Sequence, residues 1–510
     1  PPGGGAHGVV TWVGEDAAGR ALHPGARVTD LRGAFVAPGF VDAHVHLSAT
    51  GLHLQGSTLG APSKAASLEA LRTHAAATDG VVVARGWDPE RWGGAVPTVA
   101  DLENAAPGRH VYAARIDEHS AQASSALRAT VPRLATLDGY HPELPLTGAA
   151  HDAVRVAAQD ALSDAQITEA QRAALDAAAA DGIVAVHECS GPEIAGARDF
   201  ALLAELGHPV HIRRYWGEAV RSAADAADLL DRTGADGLAG DLFVDGSFGS
   251  HTALLHAPYA DADTCGTAHL DQDAVTAHVL ACTEARIQAG FHAIGDAAVA
   301  RVVTALAAAV ERFGVPRVAA CGHRIEHAEM VTPEQAESLG AWGVQASMQP
   351  GFDELWGGEH GMYATRLGAQ RAATLNDFAL LARNAVPLAF SSDSPVTPLG
   401  GWAVVRAATT HHTRGSAVSP RAAFAAVTRG AWRAGGVRDG VAGTLVPGAP
   451  ASFAVWEVGD LVVRAPSDAV QRWSTDPRAG VAPLPDLSDG APLPRCLRTV
   501  VAGTTVYEAG

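Results

Sequence analysis

The feature that most constrains this chain is a recurring unit, in which a short apolar segment ends in histidine or aspartate at the start of a loop. Helix-like stretches separate the copies, which are Ala37–Leu47, Phe291–Asp296, Arg324–Ala328 and Phe390–Val396. Apolar strands that alternate with helices are typical of parallel βα units, and the carboxyl ends of barrel strands meet at one face. We therefore predict an α/β fold, a (β/α)8 TIM barrel, with its chemistry at that face.

The first copy carries two histidines, His44 and His46, separated by one residue. Side chains alternate across a strand, so both imidazoles project to the same side. Two neutral imidazoles at the end of a strand supply half of a metal site. The alternative is a pair of solvated histidines on an ordinary strand, and the motifs described next favour the metal.

The ordered motifs resemble the amidohydrolase superfamily over nearly the whole chain. More narrowly, they resemble the branch of N-substituted formamide deformylases and YtcJ-like hydrolases. The motifs that carry this resemblance are Pro38–His46, Arg85–Pro89, Glu118–Ser120, Phe243–Ser250, His292–Asp296, His323–His327 and Ser392–Pro395. The resemblance implies a TIM barrel beside a small β-sandwich domain.

The metal ligands that this pattern predicts are His44, His46, His292 and Asp393. Three imidazoles and one carboxylate suit Zn²⁺, with Fe²⁺ and Mn²⁺ as alternatives. Asp393 is also the candidate general base, since a carboxylate beside metal and water can take a proton from the water and pass it to a leaving amine. Its Ser-Asp-Ser-Pro setting also fits a loop cap.

Two further residues decide how many metal ions the site holds. The resemblance implies that His327 either binds a second metal or polarises the substrate carbonyl. Related sequences tend to carry lysine where this chain has Asp241, and a carboxylated lysine there bridges two metals. Aspartate is several bonds shorter, so we expect Asp241 to lie too far back to bridge unless the strand moves inward. One metal ion per chain is therefore favoured over two.

Substrate contacts are predicted in the loops that follow apolar strands, because such loops commonly carry binding residues. Our candidates are Trp87, Asp88 and His119. A packing role that closes a loop is the alternative for Trp87.

A chain of 510 residues suits a barrel plus a smaller domain. We predict a β-sandwich built from residues 1–38 and 441–510, and a hydrolase barrel over residues 39–440 with an insertion at about 52–150. The strands expected in the terminal parts are Val9–Val13, Arg27–Asp30, Gly443–Gly448, Ser452–Trp456 and Thr499–Tyr507. The chain begins without an initiating Met, and we expect that a preceding segment is missing.

Net charge and cysteine content indicate which binding partners and which cellular compartment to expect. A formal charge of −18 argues against nucleic acid and anionic membrane surfaces, both of which require concentrated Lys and Arg. Five dispersed cysteines give no disulfide framework and no sulfur metal site, which favours a reducing cytoplasm. We find no segment typical of a membrane helix or a signal peptide. The expected partner is a small-molecule substrate, and a homodimer is compatible with the sequence.

The leading functional hypothesis is a metal-dependent hydrolase of a non-peptide amide, such as an N-substituted formamide or another N-acyl amine. The same activated water would attack an ester, lactone, carbamate or organophosphate, so these substrates remain an alternative. A non-catalytic scaffold is the alternative from another class. A scaffold has no physical need for a joint set of metal-ligating residues, which argues against this alternative. That set is His44, His46, His292, His327 and Asp393.

Overall fold

The computed structural model describes residues 8–78, 80–462 and 483–510. The strands are β1 (Phe35–Pro38), β2 (Phe40–Val45), β3 (Ser57–Thr58), β4 (Val82–Trp87), β5 (Val111–Arg115), β6 (Ser120–Ala123), β7 (Leu146–Thr147), β8 (Ile183–Ser190), β9 (His211–Trp216), β10 (Gly290–Ala293), β11 (Arg324–His327), β12 (Gln345–Met348), β13 (Leu388–Phe390), β14 (Phe453–Glu457), β15 (Leu461–Val462), β16 (Leu484–Pro485), β17 (Arg495–Val501) and β18 (Thr504–Glu508).

The helices are α1 (Asp16–Leu22), α2 (Leu47–Gln55), α3 (Lys64–Ala77), α4 (Val99–Ala105), α5 (Ser125–Arg128), α6 (Gly148–Asp160), α7 (Asp164–Ala180), α8 (Gly196–Glu205), α9 (Ala223–Thr233), α10 (Gln272–Ala285), α11 (Asp296–Phe313), α12 (Val315–Cys321), α13 (Pro333–Trp342), α14 (Pro350–Trp356), α15 (Met362–Leu367), α16 (Ala369–Ala372), α17 (Phe378–Arg383), α18 (Gly401–Thr409), α19 (Pro420–Ala425) and α20 (Ala431–Ala434). A 3₁₀ turn covers Leu134–Thr136, and a π-helical turn covers Ala426–Gly430.

Parallel strands that alternate with helices form the central part of the molecule. One sheet has the order β2-β8-β9 and another the order β10-β11-β12-β13, and every pairing in both is parallel. Isolated parallel bridges extend these sheets: Tyr215 to Gly237, Leu238 to Ala289, Phe243 to His292 and Val45 to Ser394. The βα rhythm predicted from the sequence is therefore confirmed, with mixed α/β architecture.

Backbone hydrogen bonds tie the end of β2 to the loop that follows β13. The Asp393 N–H donates to the His44 carbonyl at 2.9 Å, and the His46 N–H donates to the Ser394 carbonyl at 3.0 Å. The buried Asp42 carboxylate accepts from the Ser392 N–H at 3.0 Å. These contacts bring residues about 350 positions apart in sequence to one edge of the sheet.

The predicted insertion at about 52–150 contains a sheet of its own, with the order β3-β4-β5-β6-β7. Pairings among β3, β4 and β5 are parallel, and those among β5, β6 and β7 are antiparallel. After it come α6 and α7, and the break between them ends at Ser163. The Ser163 side chain and Gln166 form a capping box that begins α7, because the hydroxyl satisfies a free backbone N–H.

Both ends of the described chain contribute to one antiparallel sheet, with the order β1-β14-β17-β18. Two strand predictions are wrong: Arg27–Asp30 is irregular, and Gly443–Gly448 is a turn in which both glycines have positive φ. Of Val9–Val13 only Val9 pairs, through a bridge to Pro450. A β-sandwich stays a prediction. The Gly- and Pro-rich residues 1–7, and residues 463–482 of the expected C-terminal part, lie outside the described residues.

The main core lies between the parallel strands and the Ala-rich helices around them. Small residues allow close helix contacts; a Cβ at Gly51 of α2 would come within 1.8 Å of the Ala170 carbonyl oxygen on α7. Within residues 8–78, 80–462 and 483–510, every helix is too short or too polar to span a bilayer.

Candidate metal centre and active site

Four histidines converge at the carboxyl ends of three strands. His44 is the penultimate residue of the buried strand β2, His46 follows the end of that strand, and His292 and His327 lie on the paired strands β10 and β11. The imidazole centroids of His44 and His327 are 5.1 Å apart, and those of His292 and His327 are 4.4 Å apart. The sequence-predicted histidines are thus brought together.

Acceptors on the far side of three rings fix which ring nitrogen faces the centre. His44 Nδ1 donates to Glu326 Oε2 at 3.0 Å, His327 Nδ1 donates to Gln349 Oε1 at 2.8 Å, and His292 Nε2 donates to the Gly246 carbonyl at 3.2 Å. Each ring then carries its lone pair on the other nitrogen, which is the form that binds a metal.

Asp241 lies among all four histidines, contrary to the expectation that it lies too far back. Leu238 and Phe243 are five positions apart, whereas their bridge partners Ala289 and His292 are three apart, so the segment carries extra residues. A bulge of this kind redirects a side chain. Gly240 has φ of 78°, and the Leu242 N–H closes a tight turn by donating to the Gly240 carbonyl. This local backbone shift delivers the shorter carboxylate to the centre.

One oxygen of Asp241 faces the β2 histidines and Asp393. Asp241 Oδ2 lies 3.4 Å from His44 Nε2 and 3.1 Å from His46 Nε2, and Asp393 Oδ1 lies 3.4 and 3.2 Å from the same nitrogens. A tetrahedral zinc ion with ligands near 2.1 Å separates its ligand atoms by about 3.4 Å. The four nitrogen–oxygen distances are therefore compatible with ligands of one cation.

The other oxygen faces the remaining two histidines. Asp241 Oδ1 lies 3.5 Å from His292 Nδ1 and 3.6 Å from His327 Nε2. The sequence had grouped His292 with His44, His46 and Asp393. The structure instead puts it beside His327, on the opposite side of Asp241.

The donor atoms in this cluster are buried and lack hydrogen-bond partners among the described residues. They are His44 Nε2, His292 Nδ1, His327 Nε2, Asp241 Oδ1 and Asp393 Oδ1. A buried polar atom without a partner costs about 1–3 kcal/mol, and native proteins rarely leave several together. Lone pairs of nitrogen and oxygen that converge in this way fit divalent cations of the zinc, iron or manganese type.

The charges of the cluster support each other. Burial alone would raise the pKa of Asp241, but His44, with His292 and His327, holds it well below its usual value. Burial would lower the pKa of His46, but the adjacent carboxylates of Asp241 and Asp393 raise it to about 10. His44 and His46, which face both carboxylates, therefore favour their protonated forms. A divalent cation bound here would take the place of those protons.

The backbone at two of the site residues is strained. His327 has φ of 68° and Asp393 has φ of 55°, both in the left-handed region. Such conformations cost free energy and cluster at functional sites. Asp245, by contrast, accepts backbone N–H groups from Leu254, Ile294 and Gly295, which is a structural role.

Two cavities meet at His119, His327 and Asp393. One has a polar and charged wall that contains Arg85, Glu118, Arg155 and Gln159. The other has an apolar wall of Phe248, Ile294, Phe352, Trp356, Met362 and Tyr363. Burial, with the nearby His292 and Arg155, lowers the pKa of His119 well below its usual value, so its ring is neutral.

Trp87 and Asp88 line neither of these cavities. Trp87 packs in a separate hydrophobic cluster, and its indole N–H donates to the Ala113 carbonyl at 2.8 Å. Asp88 accepts from the Glu90 N–H within its own turn. The structure thus gives Trp87 the packing role that was its alternative, and of the three proposed substrate contacts only His119 borders the site.

Three residues near the centre were not singled out from the sequence. Glu326 supports His44, Gln349 supports His327, and Arg155 lines the charged wall. Glu326 had a usable signal, because Arg324 and Glu326 place two charges in a short buried strand and such charges need partners. Arg324 and His44 hold the pKa of Glu326 at about 2 despite its burial.

Comparison with known proteins adds an independent finding. The family model described as the amidohydrolase family matches residues 27–507. The protein LONG AFTER FAR-RED 3 of Arabidopsis thaliana is 27% identical over 424 residues, which cover 75% of this chain and 70% of that protein. YtcJ of Bacillus subtilis strain 168 is 25% identical over 413 residues, with 74% and 73% covered.

Solved structures share the fold. An uncharacterized metal-dependent hydrolase from Pyrococcus furiosus matches with a TM-score of 0.68 and 25% identity, over 88% of this chain and 92% of that one. A second, from Pyrococcus horikoshii OT3, matches with a TM-score of 0.69 and 24% identity over the same shares. The family match spans well over half of the sequence, and the chain therefore belongs to the amidohydrolase family, in its YtcJ-like branch.

Proposed function

We propose that this protein hydrolyses a non-peptide amide, of the N-substituted formamide or N-acyl amine class, with Asp393 as general base. As a member of the amidohydrolase family the chain is an enzyme, a metal-dependent hydrolase of carbon–nitrogen bonds other than peptide bonds. The observation that carries the finer proposal is the convergence of four imidazoles and two carboxylates beside a cavity with an apolar wall.

The residues that would hold cations fall into two groups. His44, His46 and Asp393 form the first group with Asp241 Oδ2, and His292 and His327 form the second with Asp241 Oδ1. Zn²⁺ is our first choice, with Fe²⁺ and Mn²⁺ as alternatives. A divalent cation bound here supplies Lewis acidity, which lowers the pKa of water and polarises a carbonyl.

The number of cations follows from Asp241. One ion per chain was expected because Asp241 was thought to lie too far back, and its position removes that reason. A carboxylate between two cations offsets their mutual repulsion. We therefore propose two cations per chain, with Asp241 as the shared ligand and His327 as a ligand of the second.

The position of Asp393 supports its proposed role as general base. Its carboxylate borders both cavities, and Oδ1 is buried without a hydrogen-bond partner in the described part of the chain. It takes the proton of the attacking water and delivers it to the nitrogen of the leaving amine. The backbone bond from the Asp393 N–H to the His44 carbonyl fixes the loop while the proton moves.

The walls orient the substrate. His119 is neutral and borders both cavities, so it can hydrogen-bond a polar amide without adding charge. The aromatic wall of Phe352, Trp356 and Tyr363 excludes water and favours an apolar substituent. We also infer that the parallel bridges close an eight-stranded barrel, with this site at the carboxyl ends of its strands.

A matched pair of substrates tests this function. Zinc-loaded protein is assayed with N-(2-phenylethyl)formamide and with 2-phenylethyl formate, and the His44→Ala variant reports the uncatalysed rate. We expect metal-dependent release of 2-phenylethylamine at a rate far above that of the variant. Turnover of the formate ester alone would support an esterase, and turnover of neither compound would count against a formamide as the substrate.

A further inference from the structure

Arg155 stands out on the charged wall of the cavity. It lies on α6, its side chain is only 10% exposed, and its Nη2 donates to Asp152 Oδ1 at 2.8 Å. Its Nε is buried and has no partner among the residues that the structure describes. The guanidinium carbon lies 5.8 Å from the centroid of the Phe243 ring, which packs 4.9 Å from the ring of His292. Among the described residues Arg155 therefore has an unpaired hydrogen-bond donor, and the Phe243 ring lies between its guanidinium and His292 of the candidate metal centre.

The acids of this wall are already paired with other groups. Arg85 donates to Glu118, and Arg115 lies 2.6 Å from the Asp117 carboxylate, which also accepts from the Ser247 hydroxyl at 2.6 Å. Within the described ranges only Asp152 pairs with Arg155, and it does so from the more exposed side, where its own side chain is 22% exposed. Arg155 lines the cavity, and its positive charge is therefore available to pair with a bound ligand.

The missing partner has the chemistry of a carboxylate. A guanidinium offers N–H groups in a planar fork that matches two carboxylate oxygens, and such charge-assisted bonds are stronger than neutral ones. A buried cation without a full partner is costly, so an anionic ligand gains affinity by supplying one. A hydroxyl or an amide would satisfy only the hydrogen bond.

We infer that Arg155 forms a subsite for a carboxylate carried by the substrate, an inference that rests on the proposed amide hydrolysis. The apolar and charged walls diverge from His327 and Asp393, where the scissile bond would lie. An amide whose nitrogen substituent bears both an apolar group and a carboxylate fills both walls. The class of substrate is therefore an N-acyl amino acid with an apolar or aromatic side chain.

A binding experiment isolates this subsite from catalysis. Zinc-loaded protein is titrated by calorimetry with 3-phenylpropanoate and with 3-phenyl-1-propanol, which lacks the charge. We expect the acid to bind about 10- to 100-fold more tightly than the alcohol, as one charge-assisted contact predicts. Arg155→Gln should abolish most of this preference. Asp152→Asn, which removes the anionic partner of Arg155, should tighten binding of the acid.

The control variants distinguish a carboxylate held by Arg155 from one held by zinc alone. A carboxylate that bound only to the zinc would bind Arg155→Gln and wild type equally, and that result would overturn the subsite. Arg198 on α8 forms an ion pair with Asp164 at the start of α7. Arg198→Gln removes this ion pair and should leave both affinities unchanged. If Arg155→Gln does not fold, unchanged or weaker binding of the acid by Asp152→Asn contradicts the inference. No turnover is required, so a failed amide assay would count against the proposed function alone.

Discussion

The two oxygens of Asp241 divide the centre into unequal halves. On the Oδ2 side, His44, His46 and Asp393 supply three further donors, with nitrogen–oxygen distances of 3.1–3.4 Å. On the Oδ1 side, the described chain brings up only His292 and His327, at 3.5 and 3.6 Å. The first half offers four donor atoms, as many as a tetrahedral cation would take, whereas the described chain offers three in the second. A cation should therefore be held more firmly in the first half.

The halves also differ in how the fold builds them. Backbone hydrogen bonds between β2 and the Asp393 loop fix the first half, and the buried Glu326 and Arg324 support His44. The second half depends on the irregular segment that carries Asp241, and a neutral amide, Gln349, supports His327. Because Asp241 contributes one oxygen to each half, it is the residue through which the halves interact.

The largest effect is expected from breaking the first half. His44→Ala removes a proposed metal ligand that is fully buried and hydrogen-bonded to Glu326. The tightly held cation and the activity should therefore be lost together while the fold persists. Elemental analysis and circular dichroism check this outcome. His74→Ala on α3, away from the centre, is the matched control. Wild-type metal content and turnover in His44→Ala would disprove the assignment.

Asp393→Asn should lower kcat by about 10²- to 10⁴-fold, because an amide cannot accept the proton of the attacking water. The variant retains the size of the side chain, and we expect some metal to remain. Steady-state kinetics on N-(2-phenylethyl)formamide measure the loss. A change of less than threefold would identify another group as the base.

His292→Ala breaks the second half and spares the first. We expect one cation per chain to remain and activity to fall by about 10²- to 10³-fold, since the second cation supplies several kcal/mol of charge stabilisation. The measurement is zinc content beside kcat. Loss of both cations would show that the halves are not separable.

Removal of the residues that support the histidines should have smaller effects. Glu326→Gln is expected to weaken the tighter cation by about 10- to 100-fold, and Gln349→Met to weaken the second by about tenfold, because such partners orient the ring and tune its basicity. Competition with a chromogenic chelator resolves the two affinities. If Glu326→Gln weakened only the second cation, the assignment of Glu326 to the first half and of Gln349 to the second would be wrong.

Much of this site could be predicted because it lies on regular elements. His44 and His46 stand out through strand alternation. His292 and His327 lie at the carboxyl ends of β10 and β11, and Asp393 lies in the loop directly after β13. The amidohydrolase prediction is confirmed by the family match. These inferences needed only local periodicity and the rule that strand ends meet.

The parts that failed depend on geometry that local sequence does not determine. Asp241 reaches the centre because of a bulge, and the number of extra residues is visible only once its neighbours are paired. Arg155 comes from a helix at the end of the predicted insertion, about 110 residues from His46 along the chain, so its place in the cavity wall follows from tertiary packing. Trp87 ends a strand that faces a different core.

The most direct test of the shared role of Asp241 is the zinc content of wild type and of Asp241→Ala after loading with excess Zn²⁺ and desalting. Wild type should hold two ions per chain. The variant should hold one, because His44, His46 and Asp393 still form a three-ligand set while His292 and His327 alone do not. A ratio of one in wild type, or of two in Asp241→Ala, would contradict the account.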